Sequence, residues 1–152
     1  PPGTGDIPLT LAQTIPITGI LVVTTPQDVA SNVAVKAIGM FNKLNVPILG
    51  VVENMSYFIC PSCTEKHYIF GEGGAKKISE KYNIPFVGEI PLNSGIMEGS
   101  DKGKPIILTD PNSPSAEAFR KSAKNVAAQC SILAAKLREE MQAEAAEPAP
   151  TS

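Results

Sequence analysis

Cys60-Pro61-Ser62-Cys63 is the stretch of this chain best suited to chemistry. The C-x-x-C spacing turns both sulfurs toward one soft metal centre, because the Pro-Ser pair folds the backbone back on itself. Two thiolates are only half of a tetrahedral site; structural zinc and ordinary iron–sulfur clusters take four ligands. The chain also offers His67, four residues on, and the distant Cys130. A site within one chain needs both of these or stays open. The alternative is a two-fold axis, which sets the same patch of two copies against itself and so unites Cys60 and Cys63 of each. Metal or cluster binding is the leading reading; a redox dithiol and a pair of inert surface thiols are the others.

These cysteines must be positioned by the elements around them. Val46 to Glu53 is an apolar run that reads as a buried strand, and Asn54 to Cys63 breaks from it into a turn. Chemistry at the carboxyl end of a strand is a recurring arrangement in open α/β sheets. Upstream, Ile17 to Thr25 is continuously apolar and bounded by prolines, which predicts a fully buried parallel strand. Val29, Val33, Ala37 and Leu44 recur at helical spacing, so Gln27 to Leu44 is an amphipathic helix. Strand, helix and strand make a right-handed βαβ unit. A glycine-rich turn, Gly71-Glu72-Gly73-Gly74, leads into a helix from Ala75 to Tyr82, and Ile84 to Ile90 is a third buried strand. Leu92 to Lys104 is polar and glycine-bearing and is expected to cover the carboxyl edge of the sheet.

Ser113-Pro114 starts the last helix with a capping hydroxyl followed by proline. Phe119, Ala123, Val126, Cys130, Leu133 and Leu137 form one apolar stripe, which places Cys130 in a core rather than at a ligand position. Residues 142–152 read as a disordered acidic tail, leaving 1–141 as the folded part. At the other end, Pro1-Pro2-Gly3-Thr4-Gly5-Asp6 is a loop whose glycines allow N–H groups to approach a phosphate, with Thr4 and Asp6 able to bond a nucleotide or its metal. An ordinary tight turn is the plainer reading of that loop by itself.

Composition bounds the function classes. The 152 residues are one domain's worth of chain, and 43% hydrophobic content supports a core. A net charge of −2 gives no general attraction to nucleic acid. Three cysteines, two of them in a metal-like spacing, suit a reducing cytoplasm better than a disulfide framework. No apolar run has transmembrane length, and the tail lacks a basic amphipathic face for a membrane surface. The chain opens on Pro within a working loop, so a fragment of a longer protein is expected.

Taken together, five motifs resemble the Mrp-type (ApbC-like) iron–sulfur cluster carrier ATPases. They are the opening Pro1–Asp6 loop, Thr24-Thr25-Pro26-Gln27-Asp28-Val29-Ala30, Val51-Val52-Glu53-Asn54-Met55-Ser56 with the cysteine pair, Phe70-Gly71-Glu72-Gly73-Gly74, and Gly88-Glu89-Ile90-Pro91-Leu92. Their order and spacing span nearly the whole chain up to the tail. The resemblance implies a three-layer α/β fold with a mostly parallel sheet, of the P-loop NTPase (ParA/MinD-like) type, here without its amino-terminal half. It implies a homodimer that holds a [4Fe–4S] cluster at Cys60 and Cys63 and passes it to apo iron–sulfur proteins. Pro2, Gly3, Thr4 and Asp6 match the loop that senses the terminal phosphate of ATP with its magnesium. Asn54 matches an adenine-reading position, with Pro91 and Leu92 near the same pocket. The family's Walker A loop, whose amides and lysine neutralise the phosphates, has no counterpart in this sequence. A dimeric zinc-binding interaction module and a ParA/MinD-like positioning ATPase are the competing functions.

Overall fold

The computed structural model describes residues 5–146. The chain begins with helix α1 (Asp6–Thr14), strand β1 (Ile20–Thr24), helix α2 (Asp28–Lys43) and strand β2 (Ile48–Glu53). A short hairpin, β3 (Phe58–Ile59) and β4 (Lys66–His67), precedes helix α3 (Gly74–Tyr82) and strand β5 (Phe86–Glu89). Helices α4 (Ser94–Asp101), α5 (Ile106–Thr109) and α6 (Pro114–Ala146) complete it.

The main sheet has the order β1-β2-β5, and both pairings are parallel. Central β2 is buried on both faces, so its side chains divide between two cores. Val51 joins Val22, Ala34, Ile38, Ala75 and Ile78 under α2 and α3. Val52 joins Val87 and Ile90 under α4 and α6, with Ile96 and Val126 packed beside them. Gly50 is required where β2 closes on β5: a Cβ there would stand 2.5 Å from Val87 Cγ1 and 2.7 Å from the Pro85 carbonyl oxygen.

The helix ends follow local chemistry. Asp28 and Lys43 lie in the first and last turns of α2, where each complements the helix dipole. Asn93 caps α4 by accepting from the Gly95 N–H at 2.7 Å. The Ser113 hydroxyl accepts from the Ala116 N–H at 3.2 Å, and Pro114 opens α6 as its sequence predicts.

Three expectations need correction, and one stretch gains an element that the sequence reading did not assign. Strand β1 is half-buried rather than fully buried: Val22 is in the core, but Leu21 is 39% and Val23 61% exposed. Helix α6 packs on β5 and β2 and covers neither of those side chains. On α6 itself the buried positions are Ser115, Ala116 and Ser122, while Phe119, Ala123 and Leu137 of the expected stripe are exposed and Cys130 is half-buried. The contact face is rotated because small residues let the helix approach β5 closely, as where Ser122 lies against Gly88. The 92–104 stretch contains helix α4, set by its Asn93 cap. Finally, α6 continues through Ala146, so the boundary expected at 141 falls inside a helix; 147–152 lie outside the described residues.

Candidate metal centre

Strand β2 ends in Glu53, and the residues after it are tied to the carboxyl edge of the sheet by backbone bonds. The Asn54 N–H donates to the Thr24 carbonyl at 2.7 Å and the Ser56 N–H to that of Ile90 at 3.0 Å. Leu92 then donates to the Tyr57 carbonyl at 2.7 Å, and Phe58 bridges to Leu92 in parallel register. The hairpin is a separate two-stranded sheet whose base is bonded to the carboxyl edge of the main one.

Glu53 anchors this region from below. It is 1% exposed. Its carboxyl accepts from the Ser56 hydroxyl at 2.7 Å and from the Ala75 N–H at 2.7 Å. One buried side chain thus joins the end of β2, the turn toward the cysteines and the first turn of α3, where a negative group is favoured. Sequence reasoning does not single out Glu53 for this role; a lone carboxyl closing the apolar run Val51-Val52-Glu53 is the signal that could have found it.

The cysteines sit at the hairpin tip. Phe58 pairs with His67 and Ile59 with Lys66, and the Cys60 N–H donates to the Glu65 carbonyl at 3.0 Å. Thr64, at φ 61°, takes the left-handed turn that returns the chain, and its N–H donates to the Cys60 carbonyl at 2.8 Å. Alternation along a strand places Phe58 and Cys60 on one hairpin face, and with them their opposites His67 and Glu65. Lys66 falls on the other face, its Nζ 4.0 Å from the centre of the Tyr57 ring. Tyr57 is itself buried and meets Tyr68 edge-on at 6.4 Å.

This register gathers three donors. The sulfurs of Cys60 and Cys63 and a ring nitrogen of His67 all lie within 4.8 Å of one another. Cys63 Sγ is 3.9 Å from His67 Nε2 and 4.0 Å from Glu65 Oε2. Cys60 is half-buried; Cys63 and His67 are exposed. The backbone N–H groups of Cys63 and Ser62 point at Cys60 and hold its thiol below the ordinary range, with the Cys63 thiol adding to the effect. Two soft sulfurs and an imidazole suit zinc, iron, cobalt or an iron–sulfur cluster rather than magnesium or calcium.

The nucleotide candidates fall on separate segments of the chain. Pro2, Gly3 and Thr4 lie outside the described residues. Asp6 is exposed in the first turn of α1. Asn54 is half-buried, accepts from the Met55 N–H at 2.9 Å, and lines an apolar trough of about 790 Å³ with Thr24 and Thr25. Pro91 is buried and Leu92 half-buried beside the hairpin base.

Comparison with known proteins supplies the context for this geometry. Residues 1–127 match the family described as ParA: NUBPL iron-transfer P-loop NTPase. The chain is 50% identical over 133 residues to the iron–sulfur cluster transfer protein NUBPL of Dictyostelium discoideum, covering 88% of this chain and 41% of that protein. It is 53% identical over 129 residues to the iron–sulfur cluster carrier protein of Escherichia coli K12, covering 85% of this chain and 35% of that one. It therefore spans well under half the length of these relatives. Among solved structures, a nucleotide-binding protein of Archaeoglobus fulgidus, in complex with ADP and with cobalt found in it, superposes with a TM-score of 0.63 at 43% identity, covering 76% of this chain and 46% of that one. The cell division ATPase MinD of Pyrococcus furiosus superposes with a TM-score of 0.54 at 26% identity, over 70% and 40% of the two chains. The α/β architecture with its parallel sheet is that of MinD-like P-loop NTPases.

Proposed function

The chain belongs to the ParA/NUBPL family of iron-transfer P-loop NTPases, and from that membership we propose that it is the cluster-holding part of an iron–sulfur cluster carrier. The cargo is a [4Fe–4S] cluster bound by Cys60 and Cys63 of two chains across a two-fold axis and handed to apo iron–sulfur proteins. The observation that carries this is the placement of both thiols at an accessible hairpin tip whose base is bonded into the sheet edge. Transfer to another protein requires such access, and rigid support keeps the pair together. Each chain contributes two sulfurs on one short loop, and Cys130 is not among the clustered donors. Pairing two loops supplies four thiolates without further residues. The names of the Dictyostelium and Escherichia relatives support the carrier reading, and the ADP and cobalt of the Archaeoglobus protein support nucleotide and metal binding.

In the longer protein, ATP and magnesium would engage Pro2, Gly3, Thr4 and Asp6, with Asn54, Pro91 and Leu92 toward the adenine. The reducing cytoplasm is the setting for the thiols. The test is anaerobic reconstitution with iron and sulfide, counting iron per chain and measuring mass in solution. We expect about four irons per two chains, on a dimer. Cys60→Ser or Cys63→Ser should abolish loading and weaken dimerisation, while Cys130→Ala leaves loading nearly intact. Four irons on a monomer, or equal loss from Cys130→Ala, overturns the bridging reading. A colourless zinc-loaded dimer that takes up no iron would favour the interaction module instead.

A further inference from the structure

We propose that one chain by itself binds a single soft divalent metal ion through Cys60 Sγ, Cys63 Sγ and His67 Nε2, with the fourth position open to solvent. The site shares its thiols with the bridging reading but does not depend on it, since four thiolates across two chains leave His67 unused. The carrying observation is distance. With metal–sulfur bonds of about 2.3 Å and metal–nitrogen bonds of about 2.0–2.1 Å, a thiolate and an imidazole on one tetrahedral ion stand about 3.6 Å apart. Cys63 Sγ and His67 Nε2 are 3.9 Å apart, and all three donors fall within 4.8 Å of one another. Small side-chain rotations close the remainder. Thiolates on separate irons of a cluster stand further apart than two on one ion, so this spacing suits the single ion.

A solvated histidine that merely happens to lie near a thiol is the plainer alternative, and the hairpin register argues against it. The Phe58–His67 pair fixes which face His67 occupies, and the bond between Cys60 and Glu65 puts Cys60 on that face. Lys66, one residue earlier, is held on the other face by the Tyr57 ring. Thr64, in its left-handed turn, carries the chain from Cys63 back toward His67. The loop is therefore set before any ion arrives. Glu65 Oε2, 4.0 Å from Cys63 Sγ, adds negative charge beside the site. Two thiolates and an imidazole select zinc, cobalt or ferrous iron over magnesium and calcium. Binding displaces the two thiol protons to solvent and leaves the histidine neutral, with its proton on Nδ1.

The test is titration of the reduced, anaerobic 152-residue chain with cobalt(II), followed by visible absorption and by mass in solution. At dilute protein concentration one cobalt per chain on a monomer is expected, with the strong visible bands of a four-coordinate ion and thiolate charge transfer in the near ultraviolet. His67→Ala should weaken binding at least as much as loss of an outer-shell partner does, by about 10–100-fold, and alter the visible bands. His67→Cys should restore affinity with stronger charge transfer. Unchanged affinity and spectrum in His67→Ala, or half a cobalt per chain on dimers of the unaltered protein, overturns the proposal. Iron–sulfur loading of His67→Ala is measured separately. Failure of cluster loading in the unaltered chain, with cobalt bound as expected, defeats the bridging reading and leaves this one standing.

Discussion

At the scale of single residues, Glu53 bonds the turn before the cysteine hairpin to α3, and Tyr57 packs against Lys66 and Tyr68 of its returning arm. Replacing Glu53 by Ala leaves the Ala75 N–H and the Ser56 hydroxyl without their buried acceptor. Each stranded group costs about 1–3 kcal/mol, so Glu53→Ala should lower the urea midpoint and loosen the hairpin without touching a thiol. Equal stability in the variant would remove Glu53 from its anchoring role. Burial and then the nearby Glu89 raise the Tyr57 hydroxyl above its ordinary value of 10.0. The folded protein thus keeps this proton to higher pH than the unfolded chain does. The resulting stability is fully present below about pH 10 and is lost as pH rises through the folded value. Ultraviolet titration should show a late-ionising component that Tyr57→Phe removes.

At the scale of elements, the contact between β2 and β5 is set by Gly50. A methyl group there meets Val87 and the Pro85 carbonyl, neither of which is a flexible side-chain end. Gly50→Ala should therefore destabilise the sheet by about 1–3 kcal/mol, the usual range for overpacking, with the loss read from denaturant unfolding. Because the hairpin base is bonded through Leu92 and Phe58 to the chain just after β5, the same variant should also reduce metal uptake. Lost stability with unaltered uptake would mean that the hairpin is positioned independently of β5.

For the whole molecule, the uncovered side of β1 governs behaviour in solution. Leu21 and Val23 are exposed, and with Leu11, Ile15 and Val33 they line the trough of about 790 Å³ beside that strand. Among the described residues, β1 pairs on one side only, and such an edge invites association. The purified chain should associate with increasing concentration, and Val23→Lys should reduce this in light scattering, because a charge on an edge strand opposes pairing. A clean monomer at high concentration with sharp, cooperative unfolding would count against it.

The sequence alone determined the order of β1, α2, β2, α3, β5 and α6, the parallel α/β class, and the cysteine pair as the candidate metal site. Apolar runs of strand length and helical periodicity are local signals, and they placed β1, α2, β2, α3 and β5 close to where they stand. The helix cap at Ser113-Pro114 was equally legible, because capping is decided by neighbouring residues. Only the tertiary structure decided what depends on packing between distant segments. An apolar run does not show whether a second layer reaches it, so Ile20–Thr24 could not be seen to have an open face. The stripe on α6 follows helical periodicity, yet the buried face is chosen by small residues fitting against β5. His67 was visible as a donor, but its place beside the thiols depends on a hairpin register, which a slip of one residue would reverse.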